Sequence, residues 1–298
     1  MPCLRETWTA SLLRKVGAGL LLVAMGASVA RCDRDRSADA GAVEAPEVVE
    51  TPAPTPSLPG PVVAPILDRA GLINAAARAA SAYASGQVAA GADPLVGRPF
   101  SVVTPFACGP LPDVAVEDTA DRSAPPGLAR ATWGPDRKTV RLTLDPADWT
   151  RSPLIAGPNV ESGWEAVEGF WVPRPWLATT DCPALTASQT PAVTGAPAVQ
   201  TVGLAAVFEQ DASRVARRNG RAYSFTVRPP SDSVPVSLPP RGYRVVIEGR
   251  IGAFADGRAF RCRAAGPDQR PVCIAAMSLD RVAFTRADGE VLSEWRGA

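Results

Sequence analysis

The sequence predicts a mostly β protein, in which an antiparallel β-sandwich or barrel-like domain follows an export segment, a disordered linker and one amphipathic helix. Turn-forming pairs such as Asn219-Gly220 separate short segments of alternating apolar residues, a pattern typical of antiparallel strands. The 298 residues also include 31 prolines, too many for long helices and typical of the loops and edge strands of β domains.

The N-terminus has the pattern of an export signal. Three basic residues, Arg5, Arg14 and Lys15, precede an uncharged apolar run at residues 16–30. Residues 1–32 are therefore predicted to be a signal peptide or a membrane anchor.

The processing of this segment stays open. Cleavage by signal peptidase is expected after Ala30, whereas a bacterial lipidation signal would end at Cys32. Arg31 fits the lipidation pattern poorly, because a small residue normally precedes the cysteine. An uncleaved anchor is a third interpretation, although 15 apolar residues are short for a hydrocarbon core of roughly 30 Å. A buried helix of a soluble domain is the fourth.

Residues 33–62 are rich in proline, alanine and acidic residues and lack a periodic apolar face. Such a composition buries too little apolar surface to fold, so we expect a disordered tether that is partly polyproline II. The globular region is then predicted over residues 63–298, with a helix over 65–86 followed by mostly β structure. A division of this β region into two halves near residues 185–200 stays open.

The helix is predicted by apolar residues that recur about every 3.6 positions and by Gly86 as its end. Its expected apolar face consists of Ile66, Ala70, Ile73, Ala77, Ala80 and Ala84. Because most of these residues are alanines, the helix buries little area per turn and requires a close-packed partner.

Four turn signals predict at least eight strands in the rest of the chain. The turns are Gly134-Pro135-Asp136, Asn219-Gly220, Asp256-Gly257 and Asp288-Gly289. Each lies between segments that alternate apolar and polar residues, so we expect four hairpins.

Four cysteines follow the N-terminal segments, and we predict that they form two disulfides, Cys262–Cys273 and Cys108–Cys182. A hairpin with its loop at residues 265–270 places Cys262 directly opposite Cys273, within reach of a disulfide. Free buried thiols and a metal site are the alternatives, but this spacing without histidine matches no common zinc site. Disulfides persist in oxidising compartments, in agreement with the export signal.

The composition excludes several classes of function. With 31 basic and 30 acidic residues the formal net charge is +1, so there is no long-range field for a polyanion and nucleic acid is not an expected partner. The sequence contains no histidine, which removes Ser-His-Asp and Cys-His catalysis and most zinc and iron sites. Nucleotide-binding glycine motifs are also missing from the globular region. We therefore expect no cofactor, no metal and no catalytic residues.

After these exclusions, the side chains best suited to bind or cleave a ligand are carboxylates and aromatic residues between positions 145 and 176. The candidate ligand-binding residues are Asp145, Asp148, Trp149, Glu161, Trp164 and Trp171. Paired carboxylates beside aromatic faces suit the binding or hydrolysis of a glycan. The alternative is core packing, because Trp164 and Phe170 alternate along one side of a predicted strand. Carboxylates that face a common cleft would favour the glycan site, whereas burial of the tryptophans would favour core packing.

Four arginines, Arg214, Arg217, Arg218 and Arg221, flank the Asn219-Gly220 turn. They are suited to bind an anionic headgroup or a lipopolysaccharide phosphate. The alternative is a set of ordinary solvated charges at the end of a hairpin.

These features predict an exported, membrane-tethered protein of the bacterial cell envelope or periplasm, with a non-catalytic binding or structural role. A bacterial source is suggested by the preference for arginine over lysine in a chain rich in alanine, glycine and proline. The membrane is the expected partner of the N-terminal segment. The alternative is a module that binds or hydrolyses peptidoglycan or another cell-wall polysaccharide through residues 145–176.

Overall fold

The computed structural model describes residues 65–87, 91–111, 125–155, 164–183, 201–211, 214, 216–231 and 233–297. The predicted export segment and linker, together with Cys32 and Glu161, lie outside the described residues. The predicted boundaries at residues 32 and 62 and the division near 185–200 stay predictions.

The described part contains one α-helix, a short 3-10 helix (Pro135–Arg137) and eleven strands in two sheets, which confirms the mostly β, sandwich-like class. The helix, α1, spans Arg69–Ala84. The strands are β1 (Pro99–Phe106), β2 (Ala129–Trp133), β3 (Val140–Leu144), β4 (Ala147–Asp148), β5 (Trp164–Trp171), β6 (Val202–Glu209), β7 (Tyr223–Val227), β8 (Tyr243–Ile251), β9 (Phe260–Arg263), β10 (Val272–Arg286) and β11 (Val291–Arg296).

Helix α1 begins later than predicted because the residues before it lie against β1. Leu67 forms a parallel bridge with Phe100. Asp68 then caps the helix, since its side chain accepts a hydrogen bond of 2.7 Å from the backbone N–H of Gly71. Within the described residues no helix is long and apolar enough to cross a membrane.

The buried face of α1 differs from the predicted one. It consists of Arg69, Leu72, Ala75 and Ala76. Ile66, Ala77 and Ala84, all assigned to the apolar face, are exposed. The predicted periodicity began at Ile66, which precedes the helix, and the face was therefore displaced around the helix axis.

The larger sheet has the strand order β1-β8-β10-β6-β5-β4. Its pairs are antiparallel except β6 with β10, which run parallel. The long strand β10 is central: β9 and β6 flank its first half, and β8 and β11 flank its second half. The register shifts between Leu279 and Arg281, where a bulge lets this strand bend.

Two of the four predicted hairpins are confirmed and two are wrong. The turn at 134–136 joins β2 to β3, and the turn at 288–289 joins β10 to β11. The turn at 256–257 lies instead in a loop between β8 and β9, which follow one another along the same edge of β10. Asn219-Gly220 does form a turn, but the described residues just before it, Arg217 and Arg218, are not in a strand. The backbone N–H groups of Arg218 and Asn219 donate instead to a buried carboxylate described below.

The smaller sheet, β2-β3-β7, packs on the larger sheet and closes the sandwich core. Val140, Leu142 and Leu144 of β3 are at most 1% exposed and share one apolar cluster with Phe170 of β5 and Phe284 of β10. Burial of such side chains is the main stabilising contribution to the fold.

A second apolar cluster covers the other face of the larger sheet. Trp149 lies against two glycines in neighbouring strands: a Cβ on Gly169 would fall 2.1 Å from the indole ring, and one on Gly203 would fall 2.7 Å from it. Glycine at these two positions therefore lets the indole approach the sheet backbone.

Both predicted disulfides are present. Cys262 and Cys273 are directly paired across β9 and β10, with Cα atoms 4.1 Å apart. Cys108 and Cys182 have Cα atoms 5.3 Å apart and are separated by 74 positions in the sequence. Because disulfides persist in oxidising environments, they indicate a location outside the cytoplasm.

Candidate functional site

Some of the carboxylates and arginines singled out from the sequence meet Glu165 and Glu168 of β5 in one charged cluster. Its members are Asp148, Glu165, Glu168, Arg214, Arg217 and Arg218. Glu165 pairs with Arg214 at 2.6 Å and with Arg217 at 2.7 Å. Desolvation raises the pKa of Glu165, but the hydrogen bonds from both guanidinium groups outweigh it and hold the pKa below its usual value. The charges of this cluster therefore largely compensate one another within the protein.

Glu168 is the buried member of the charged cluster, with 6% of its surface exposed. Its Oε1 accepts hydrogen bonds from the backbone N–H groups of Arg218 and Asn219, at 2.8 Å and 2.9 Å. Its Oε2 is buried and has no hydrogen-bond partner among the described residues. Burial raises the pKa of Glu168, and the two backbone hydrogen bonds oppose this shift only in part. Glu168 thus fixes the Asn219-Gly220 turn to β5, although burial of its carboxylate costs free energy.

The variant Glu168→Gln is expected to reveal this burial in a pH titration. A carboxyl whose pKa is raised by folding binds more protons in the folded state, so stability falls as pH rises from the unfolded pKa, about 4.3, towards the folded pKa. Gln is neutral throughout and keeps an acceptor for both N–H groups. The free energy of unfolding of the wild type, minus that of Glu168→Gln, should therefore fall as pH rises from 4 and then level off.

Urea denaturation at a series of pH values measures this difference. The matched control is Glu209→Gln, which changes an exposed carboxylate at the end of β6. A difference between wild type and Glu168→Gln that does not change with pH would contradict the assignment.

The candidate tryptophans belong to the core. Trp149 is 6% exposed and Trp164 is 8% exposed. Trp171 is half-buried and packs edge-on against Trp149, with ring centroids 4.7 Å apart. Asp145 pairs with Arg130 at 2.5 Å. Buried tryptophans and a paired carboxylate favour the structural interpretation of these residues.

Trp164 lies on the face of β5 opposite to the predicted one. It packs in the second cluster with Val167, not in the sandwich core with Phe170. The register between β5 and β6 shifts after Trp164, where Glu165 is the extra residue of a bulge. A bulge reverses the alternation of side chains, so the simple period of two failed at this position.

A separate feature, an apolar cleft of about 490 Å³, opens between β1 and β8 of the larger sheet and β2 and β3 of the smaller sheet. Its apolar lining includes Phe106, Leu128, Leu144, Val245 and Ile247. Cys108 of the long disulfide also borders it, and so do the cationic residues Arg130 and Arg174. The volume lies within the range of small-molecule sites, roughly 300 to 1,000 Å³.

One wall of the cleft is continuous with a loop at residues 173–177, which we call the Arg69 loop because Arg69 holds its backbone. The Arg69 side chain donates to the carbonyl oxygens of Pro173 at 2.6 Å, Leu177 at 3.2 Å and Arg174 at 3.4 Å. It also donates to the Thr104 hydroxyl at 3.2 Å. Arg69 is only 2% exposed, so one buried guanidinium orients most of the loop.

The Arg69 loop carries positive charge. Burial, and to a smaller extent the charge of Arg174, lowers the pKa of Arg69 to about 10, which leaves it protonated at neutral pH. Asp181, which lies beside both arginines, pairs with Arg244 at 2.5 Å. Neither Arg69 nor Arg174 forms an ion pair with any carboxylate of the described residues. Among the described residues, the single carboxylate of Asp181 therefore offsets only part of the positive charge of Arg69, Arg174 and Arg244 at this end of the cleft.

Two residues of the Arg69 loop, Arg174 and Trp176, have features that are unusual for a loop that only connects strands. Arg174 adopts a left-handed backbone with φ of 48°, which is unfavourable for a residue with a Cβ. Trp176, two positions later, is 57% exposed although tryptophan is usually buried. Such features are often found at binding sites, where surrounding contacts maintain them.

Comparison with protein-family models, with curated protein sequences and with solved structures finds no match to this chain. Its function is therefore inferred from the geometry of the cleft and the Arg69 loop. In the described residues, no group of three or more cysteine, aspartate or glutamate side chains is arranged to hold a metal ion.

Of the predicted ligand-binding residues, Trp171 lines the cleft, but sequence reasoning missed Arg69 and Arg174. Arg69 is a charged residue at the start of an alanine-rich helix, and an unpaired charge on a buried helix face is a signal for a backbone-binding role. Arg174 stands between Pro173 and Pro175 and beside Trp176, a combination typical of an ordered loop that presents large side chains. Neither feature predicts a site by itself, because only the fold shows that α1 contacts this loop.

Proposed function

We propose that the protein is an exported, membrane-tethered component of the bacterial cell envelope that binds a ligand without catalysing a reaction. The observation that carries the binding role is the apolar cleft of about 490 Å³ beside the cationic Arg69 loop. Export is supported by the two disulfides and by the basic and apolar N-terminal sequence.

The arrangement of Arg69 favours binding over a purely structural role for this end of the sandwich. Burying a guanidinium without a carboxylate partner costs free energy. A loop that only connects strands does not require a buried guanidinium. A recognition loop, in contrast, binds its ligand more tightly when its backbone is fixed before the ligand arrives.

A glycan-binding role is the alternative, and the exposure of Trp176 favours it. Trp149 and Trp164 are buried, so a sugar platform would have to form around Trp176 or around Trp171, which is half-buried and lines the cleft. Cosedimentation with isolated peptidoglycan that is lost in Trp176→Ala would support this alternative.

The binding role is tested by photo-crosslinking of the full-length protein in its native envelope. A benzoylphenylalanine in place of Leu128, which lines the cleft, is expected to form a discrete small-molecule adduct on irradiation. Mass spectrometry of the peptide that contains position 128 detects it. The control carries the same photoreactive residue in place of Tyr83, which is 47% exposed on α1.

An adduct at neither position, or an equal adduct at both, would contradict ligand binding in the cleft. Non-reducing peptide mapping of the same material tests export, because it should recover the linked pairs Cys108–Cys182 and Cys262–Cys273. Free thiols at all four positions would contradict it.

A further inference from the structure

We infer that the ligand of the cleft is an amphiphile with one apolar chain and one anionic head, a carboxylate or a phosphate, whose head binds Arg174. This inference rests on the proposed binding function and adds the chemical class of the ligand. The head can belong to a free fatty acid or to a single-chain phospholipid.

The lining of the cleft defines the apolar part of the ligand. Leu128 and Leu144 come from the side of the smaller sheet, and Val245 and Ile247 come from β8 of the larger sheet. Phe106, at the end of β1, completes this apolar surface. A hydrocarbon chain between the two sheets would remove further apolar surface from water, which favours binding.

The charge balance defines the head of the ligand. Each carboxylate described near the cleft already has a cation: Asp145 pairs with Arg130, and Asp181 pairs with Arg244. Arg174 is the lining cation that forms no ion pair with a described residue. Its repulsion with Arg69 is relieved when an anion binds, so an anionic head fits this site better than a neutral one.

The geometry of the Arg69 loop positions Arg174 for this contact. Arg69 fixes the carbonyl groups on both sides of it, at Pro173 and Leu177, and limits the freedom of the loop before binding. A guanidinium offers parallel N–H donors that match two oxygens of a carboxylate or phosphate. Trp176, on the same loop, presents an apolar ring with one N–H donor, a side chain favoured where an apolar phase meets water.

The test uses photoreactive, alkyne-tagged probes on envelope fractions that contain the full-length protein. Three probes share one hydrocarbon chain: a fatty acid, a lysophosphatidic acid and the corresponding fatty alcohol. Labelling of the protein is measured against probe concentration. We expect half-saturation by at least one anionic probe at about tenfold lower concentration than by the alcohol, since a charge-assisted hydrogen bond contributes about 1.5 kcal/mol or more. The two anionic probes distinguish a carboxylate head from a phosphate head.

Four variants locate the contact. Arg174→Asn removes the charge with a residue that tolerates the left-handed backbone, and it should raise half-saturation by the anionic probe about tenfold without changing labelling by the alcohol. Arg174→Lys keeps the charge and should retain most of the preference. Trp176→Ala should weaken labelling by all probes alike, because it removes apolar contact and not charge. Arg78→Asn, at an exposed position of α1, is the matched control and should change nothing.

The inference is overturned if the alcohol labels as well as both anionic probes, or if Arg174→Asn leaves the anionic labelling unchanged. Absence of labelling by all three probes, with an adduct still formed from position 128, overturns the ligand class but leaves the binding function intact. Loss of that adduct contradicts the binding function itself, so the two failures are distinguishable.

Discussion

The variant Arg69→Met is expected to lower the free energy of unfolding by about 3 kcal/mol and to release the Arg69 loop. Met fills much of the same space but donates no hydrogen bond. The carbonyl oxygens of Pro173 and Leu177 and the hydroxyl of Thr104 then lose their donor. A polar group left buried and unpaired costs about 1 to 3 kcal/mol, whereas loss of the buried charge returns part of that cost.

Urea denaturation measures the loss of stability, and limited digestion with chymotrypsin after Trp176 measures release of the loop. Arg78→Met changes an exposed arginine of the same helix and should lie within about 0.5 kcal/mol of the wild type. Arg69→Lys should recover only part of the loss, because an ammonium lacks the planar fork that reaches several acceptors. If Arg69→Met is as stable and as resistant to chymotrypsin as the wild type, Arg69 does not hold the loop.

The features predicted correctly from the sequence depend on interactions between residues close in the chain. The turn at 134–136 and the turn at 288–289 join strands that are neighbours in sequence and in space. The pairing of Cys262 with Cys273 followed from counting positions around one hairpin. The pairing of Cys108 with Cys182 then followed by elimination.

The candidate site was not predictable because its residues come from distant parts of the chain. Arg69 and Pro173 are separated by 104 positions, and Glu165 and Arg214 by 49. No local pattern indicates that carboxylates of β5 will compensate the charge of the arginines that flank the Asn219-Gly220 turn. The bulge at Glu165 had a further effect, since one extra residue moved Trp164 to the other face of β5.

The long disulfide, Cys108–Cys182, is expected to stabilise the protein more than the short one, Cys262–Cys273. The two bonds close loops with sequence separations of 74 and 11. A cross-link removes conformational entropy from the unfolded chain, and it removes more when the loop is longer. This difference corresponds to about 4.4 kcal/mol for the long bond and about 3 kcal/mol for the short one.

Two double variants, each with only one disulfide left, measure the contributions of the two bonds separately. The oxidised and reduced forms of one variant are compared, so both forms have the same sequence. Cys262→Ala with Cys273→Ala keeps only the long bond, and Cys108→Ala with Cys182→Ala keeps only the short bond. The free energy of unfolding is determined for each variant with its remaining bond oxidised and then reduced, so each variant is its own control. This design matters because Cys273 is 1% exposed and its replacement alone disturbs the core.

Reduction of the long bond is also expected to weaken labelling of the cleft, because Cys108 lines the cleft and Cys182 follows the Arg69 loop. Reduction of the short bond should leave labelling unchanged, since neither of its cysteines lines the cleft. A larger loss of stability on reducing the short bond would show that native packing, and not loop closure, dominates the contribution of these disulfides. Equal labelling before and after reduction of the long bond would show that the cleft keeps its shape without this cross-link, and that Arg69 alone is sufficient to hold its cationic wall.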